Sequence, residues 1–268
     1  AINQWEQAED SMYTLCGKDR IHPSTDGHLV MAYLFLKAQG LAGKPVADIR
    51  IDGAGKKVTR SDNCRVSDLS VSSDNLTFTY EAKSLPYPID TSYYDNEKHT
   101  QADALSVIPF MDEMNYEGLS VSGLSDGYYG LTIGGEFIGR FTARELERGI
   151  NIALLQNPPR YNQAMKIRQM NEERWLKERK MREFYWVEYN LMRKTGMLWA
   201  CNEAAVDTLR KYRPHDIFLQ WNGDLWLQYM HKGIREDCVN EQQDLVNQIY
   251  EQNKPIPLRI EIKKFTDL

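Results

Sequence analysis

Asp19 and His22 stand three residues apart in the stretch CGKDRIHPSTDGH, residues 16–28, and are followed at once by Pro23 and an apolar run. A carboxylate that fixes the tautomer of an imidazole makes that ring a general base, able to take the proton of a hydroxyl nucleophile. A spacing of three lets a single turn of chain carry both groups. The same spacing also suits the approach to a helix and nothing more, so the pair needs support from its surroundings. No serine supplies the third member by pattern. Ser11 is near in sequence but sits in no supporting motif. GLSDG, Gly123–Gly127, matches Gly-x-Ser-x-Gly around Ser125. That motif works only on a sharp strand-to-helix turn. The DGYYGLTIGG that follows reads as a strand, so Ser125 is expected in a hairpin-type turn. The five histidines are scattered and the cysteines form no CxxC, so neither a metal nor a cofactor is expected.

The element that must carry the Asp–His pair is the helix after it, HLVMAYLFLKAQG. Ser24 can act as its N-cap, Asp26 favours its first turn, and Gly40 sits where a left-handed residue closes a helix. It is apolar on nearly every face, so other elements must cover it, and residues 1–24 are too few to do so. If the surrounding domain is incomplete, this helix should show a large bare apolar face or be covered by another chain. His28 falls at the helix start and receives no catalytic role.

Downstream, residues 44–141 read as strands: VADIRID, CRVSDLSV, LTFTYEA, GLSVSGL, YYGLTIG and EFIGRFT are short, β-branched or aromatic, and divided by turn residues. Gly134 and Gly135 in TIGGEF mark a tight hairpin. KSLPYPIDTSYYDNEKHT reads as a long loop or strand-edge excursion. Residues 142–268 read as helical. Thr142 and Glu145 form a capping box opening a helix through ARELERGINIALLQ, and Asn157–Pro159 breaks it. A long helix is predicted over 160–194, others over 199–212 and 236–252, and a late strand in IPLRIEIKK, where Leu258, Ile260 and Ile262 alternate with charges. The interleaved charges of 160–194 favour a solvated face laced with i,i+4 pairs. The aromatic stripe REFYWVEYNLM suits core packing better than a sugar-binding or docking face, and DLWLQYMHKG likewise.

The chain has 268 residues and a net charge of −5, which argues against nucleic acid or anionic lipid as a general partner. Leu29–Leu36, the longest strongly apolar run, is too short to span a bilayer. The polar opening AINQWEQAED does not read as a signal peptide. Cys16, Cys64, Cys201 and Cys238 permit two disulfides in an oxidising compartment, with Cys201–Cys238 the most plausible pair, or free thiols.

Asp-x-x-His-Pro followed by Gly-His and a buried helix resembles the last conserved block of the SGNH hydrolases, the GDSL-type esterases and lipases. The matching residues are Asp19, His22, Pro23, Gly27 and His28. GLSVSGLSDGYYGLTIGGEFIGRFTARELERGINIALLQNPPRYNQA is similar to the region after the hydrolase domain in some bacterial members. The resemblance implies an α+β chain. Residues 1–43 would be the end of a flavodoxin-like, three-layer α/β hydrolase domain, 44–141 a small antiparallel β module, and 142–268 a helical tail with a late strand. It implies hydrolysis of a carboxylic ester, such as an acyl group on a carbohydrate, with His22 as general base oriented by Asp19. The Gly-Asp-Ser block and the oxyanion donors of the family have no counterpart here. The nucleophile is therefore expected from an upstream catalytic-domain fragment or a second chain. Family habit and the cysteines imply a periplasmic or secreted location. The competing expectation is a binding or scaffolding module without chemistry of its own.

Overall fold

The computed structural model describes residues 14–16, 19–92, 99–155 and 159–265. Ser11 and the Asn157–Pro158 part of the expected helix break lie outside them. The described chain is α+β and divides into two compact units, Ala1–Met165 with Lys254–Leu268, and Lys166–Asn253.

In the first unit, helix α1 (Thr25–Ala38) is followed by strands β1 (Ala47–Asp52), β2 (Lys57–Asp62), β3 (Cys64–Val71) and β4 (Asn75–Ala82). A 3-10 turn (Gln101–Ser106) and the short helix α2 (Phe110–Glu113) lead to β5 (Glu117–Ser122), β6 (Tyr128–Ile133) and β7 (Glu136–Thr142). Helix α3 (Ala143–Arg148) and the two-residue β8 (Ile150–Asn151) follow, and β9 (Leu258–Lys264) returns from the far end of the chain. The strands form two sheets, ordered β2-β1-β5-β8 and β3-β4-β9-β6-β7.

Strand alternation explains the core between them. In β4, Leu76, Phe78, Tyr80 and Ala82 point to one face and are buried. In β9, Leu258, Ile260 and Ile262 do the same, as their alternation with charges predicts. Register then builds rows across the sheet: Leu76–Ile262–Leu131 and Phe78–Ile260–Ile133. Gly134 and Gly135 both have positive φ, which the two-residue turn joining β6 to β7 requires.

The expected antiparallel module needs one correction, because β1 and β5 pair in parallel, Ala47 opposite Glu117 through Asp52 opposite Ser122. A parallel pair needs a long crossover. The chain supplies one by leaving for β3 and β4 of the other sheet before it returns. The helix expected through ARELERGINIALLQ is also shorter. The Thr142–Glu145 capping box forms, but Gly149 at φ +95° ends the helix and releases Ile150 and Asn151 to pair with β5. Strand β2, a largely exposed edge strand of charged and hydroxyl residues with Val58 alone apolar, carries no apolar alternation to reveal it.

In the second unit, α4 (Pro159–Val187, beginning in the first unit) passes into a π-helical stretch, Glu188–Met192. Helices α5 (Glu203–Tyr212), α6 (Ile217–Tyr229) and α7 (Lys232–Gln252) follow. The core holds Phe184, Val187, Met192, Ala205, Leu209, Leu219, Trp226 and Cys238. The ladder Arg168–Glu172, Arg174–Glu178 and Arg179–Glu183 forms the predicted i,i+4 pairs. Helix α6, not expected from the sequence, starts where the Asp216 carboxylate accepts the amides of Phe218 and Leu219. All four cysteines carry free thiols, so the Cys201–Cys238 disulfide does not form: Cys201 is exposed and Cys238 buried in the helical core.

Candidate active site around the Asp19–His22 turn

The turn is closed at its base by a bridge between Cys16 and Pro23 and by the Ser24 amide donating to the Leu15 carbonyl at 3.0 Å. Asp19 organises it. Its Oδ1 accepts the amides of Ile21 at 2.9 Å and His22 at 3.0 Å, while Arg20 takes the left-handed region, φ +57°. Its Oδ2 lies 2.6 Å from Nδ1 of His22. Those backbone bonds fix the carboxylate, and the carboxylate fixes the ring.

The hydrogen bond to His22, helped by the two amides, lowers the Asp19 carboxyl to about 2. Asp19 is therefore ionised at neutral pH and accepts a proton held on Nδ1. Nε2, across the ring, is then left as the basic nitrogen. The His22 side chain is 83% exposed, so that nitrogen is open to a reacting partner. Among the described residues, no serine hydroxyl bonds to His22.

Helix α1 carries the turn through Gly27. A Cβ there would stand 2.0 Å from the Leu15 carbonyl oxygen, so only glycine lets the helix start lie against the strand-like arm of the turn. Ser24 occupies the expected N-cap position but makes no side-chain cap. Its hydroxyl donates instead to Asp26, whose buried carboxylate also accepts the Gly27 amide at 2.8 Å. The Nδ1 of His99 stands 3.9 Å from the other Asp26 oxygen. This second Asp–His pair has a sequence separation of 73 positions by subtraction (99 − 26) and no local signal that could have marked it. It ties the helix start to the 3-10 segment, where Leu29, Val30 and Tyr33 pack on Ala104, Ile108 and Phe110. Lys37 and Tyr33 both bond the Glu113 carboxylate at 2.7 Å, tethering the far end of α1.

Among the described residues, only one side of α1 is covered. Met31, Leu34 and Phe35 are exposed, Phe35 to 64%, and Ile21 within the turn adds a fourth bare apolar side chain. Gly40 closes the helix at φ +73°, as expected. Ser125 lies in the connection between β5 and β6, which belong to different sheets and do not pair, so the hairpin expected there does not form, although a strand and not a helix follows it. Its hydroxyl is 3.1 Å from that of Tyr129 and accepts from Lys264 at 2.8 Å. Among the described residues, no three histidine, cysteine or acidic side chains are grouped to hold a metal ion, and no helix is long and apolar enough to cross a membrane.

Residues 165–254 match a family described as the diltiazem deacetylase C-terminal helical domain, and this span coincides with the second compact unit. The chain is also similar to a solved structure described as a gut microbial diltiazem-metabolizing enzyme, with 40% identity and a TM-score of 0.93. The similarity covers 98% of this chain and 60% of that one, so this chain spans about three-fifths of the length of the solved relative. No curated protein gives a significant match.

Proposed function

We propose that this chain is the C-terminal part of an SGNH/GDSL-type serine esterase. It contributes the general base His22 and its orienting carboxylate Asp19 to a site whose serine lies outside residues 1–268. The 2.6 Å bond between Asp19 and His22 carries the reading, because it leaves an exposed, correctly tautomerised Nε2 with a hydroxyl still to be supplied. His22 would take the serine proton as the ester carbonyl is attacked, and return it to the departing alcohol. Similarity to an enzyme described as diltiazem-metabolizing, together with a family described as deacetylase, supports ester hydrolysis, with an acyl ester such as an acetyl group as substrate. The bare face of Met31, Leu34 and Phe35 supports an additional polypeptide segment packing against α1 beside the turn.

The test is to assay hydrolysis of diltiazem and of p-nitrophenyl acetate by the chain alone, and by the chain joined to the part of its longer relative that it does not cover. The joined polypeptide should hydrolyse an ester and take up a fluorophosphonate probe on a serine of the added part. His22→Ala should then reduce turnover by about 10³-fold or more. Probe labelling of Ser125, or of any other serine within this chain, would overturn the proposal.

A further inference from the structure

The stripe REFYWVEYNLM divides at the end of α4. Phe184, Val187, Leu191 and Met192 enter the helical core, while Tyr185 and Tyr189 turn outward against Trp199. Trp199 is held in an unusual way. Its backbone is in the left-handed region at φ +62°, a costly conformation for a large side chain. Its amide donates to Glu188 Oε2 at 2.8 Å, and the other oxygen of that buried carboxylate accepts the Trp226 indole at 2.8 Å. Glu188 itself opens the π-helical stretch, an arrangement frequent at functional positions. A buried carboxylate, an irregular helix and a strained backbone thus converge on a ring that remains 46% exposed. The ring also rests on the buried Phe184, with centroids 6.3 Å apart, yet nearly half of it stays open to solvent.

We propose that Trp199, with Tyr185 and Tyr189, is a stacking platform for a carbohydrate chain. A pyranose offers a flat face of C–H groups and a rim of hydroxyls. The platform offers a rigid indole for the face and two phenol groups for the rim. Both tyrosine rings meet Trp199 edge to face with centroids 5.9 Å apart, at 86° and 89°. This packing fixes the indole before any ligand arrives, so little ordering cost falls on binding. Arg193 already lies 5.7 Å over the Tyr189 ring, so a cation of the chain itself occupies that ring. The platform is independent of the hydrolase reading, which concerns the other compact unit.

The test is affinity electrophoresis of the full chain through native gels containing xylan, glucomannan, polygalacturonate or dextran. At least one polysaccharide should retard the chain. Trp199→Gly accepts the left-handed backbone without strain and should weaken that retardation at least about tenfold. Trp199→Asn tolerates the same backbone and serves if the glycine variant does not fold. Trp221→Ala removes another exposed indole of the helical unit and should leave retardation unchanged. Absence of retardation in all four gels overturns the proposal. So does retention of binding by the folded Trp199 variant, or equal loss in Trp221→Ala.

Discussion

Glu117 and Arg160 pair at 3.6 Å with both side chains sealed from solvent, and the Tyr80 hydroxyl donates to Glu117 at 2.7 Å. The guanidinium also lies 4.2 Å over the Tyr80 ring. Among the described residues, Glu117 Oε2 and Arg160 Nη1 have no hydrogen-bond partner, so the polar atoms of the cluster are not fully satisfied.

Burial raises the Glu117 carboxyl above the ordinary glutamate range, against the lowering influence of Tyr80 and Arg160. A raised carboxyl binds more protons in the folded state, so its contribution to stability declines as pH rises from the ordinary value through the raised one. Arg160→Met should cost about 3–5 kcal/mol at neutral pH, where it strands a buried charge. The cost should shrink in acid as Glu117 takes up its proton. Urea denaturation of both proteins across the acid range measures this; a penalty independent of pH would contradict it.

Asp19 should titrate near 2, read from its carboxyl carbon by NMR, because His22 and two amides stabilise its ionised form. In His22→Ala the largest of those causes is gone, and the titration should move up toward the ordinary aspartate value. A depressed carboxyl stabilises the fold above its unfolded value and loses that contribution as pH falls through the folded one. The turn should therefore stay formed through mild acid and open only near pH 2. The chemical shifts of the Ile21 and His22 amides report it.

Gly27→Ala should lower thermal stability by about 1–3 kcal/mol, since its Cβ would overlap the Leu15 carbonyl and push the turn off the helix. Gly233→Ala is the contrast. Gly233 is exposed in the first turn of α7 with nothing within 4 Å of an added Cβ, and alanine there should gain up to about 1 kcal/mol. Calorimetry of the two variants should give opposite signs.

Thiol titration in denaturant should count all four cysteines as free. In the folded chain, iodoacetamide should modify Cys201 first and Cys64 and Cys238 last, because the former is exposed and the latter two are buried. Burial also raises the Cys64 thiol, which lowers its reactive fraction further. Peptide mapping over a time course gives the order, and a Cys201–Cys238 linkage would contradict it.

The Asp19–His22 pair, the N-cap position of Ser24, the capping box at Thr142, the Gly134–Gly135 hairpin and the inward residues of β9 are all legible in the chain. Each depends on groups within a few positions of one another, where backbone geometry alone brings them together. The same locality argument set aside the motif match at Ser125, because a strand and not a helix follows it. What the chain order could not reveal lies at long separation. The parallel pairing of β1 with β5, the insertion of β9 between β4 and β6, the Asp26–His99 pair and the Glu117–Arg160 pair each join distant segments. The core packing expected of the stripe REFYWVEYNLM holds for Phe184 but not for the exposed Tyr185 and Tyr189, because apolar and aromatic residues occupy several faces of that helix. Local propensity and spacing act through adjacent atoms and are written in the order of residues. Burial and long-range pairing depend on which surfaces meet once the sheets and helices pack, and only the tertiary structure settles that.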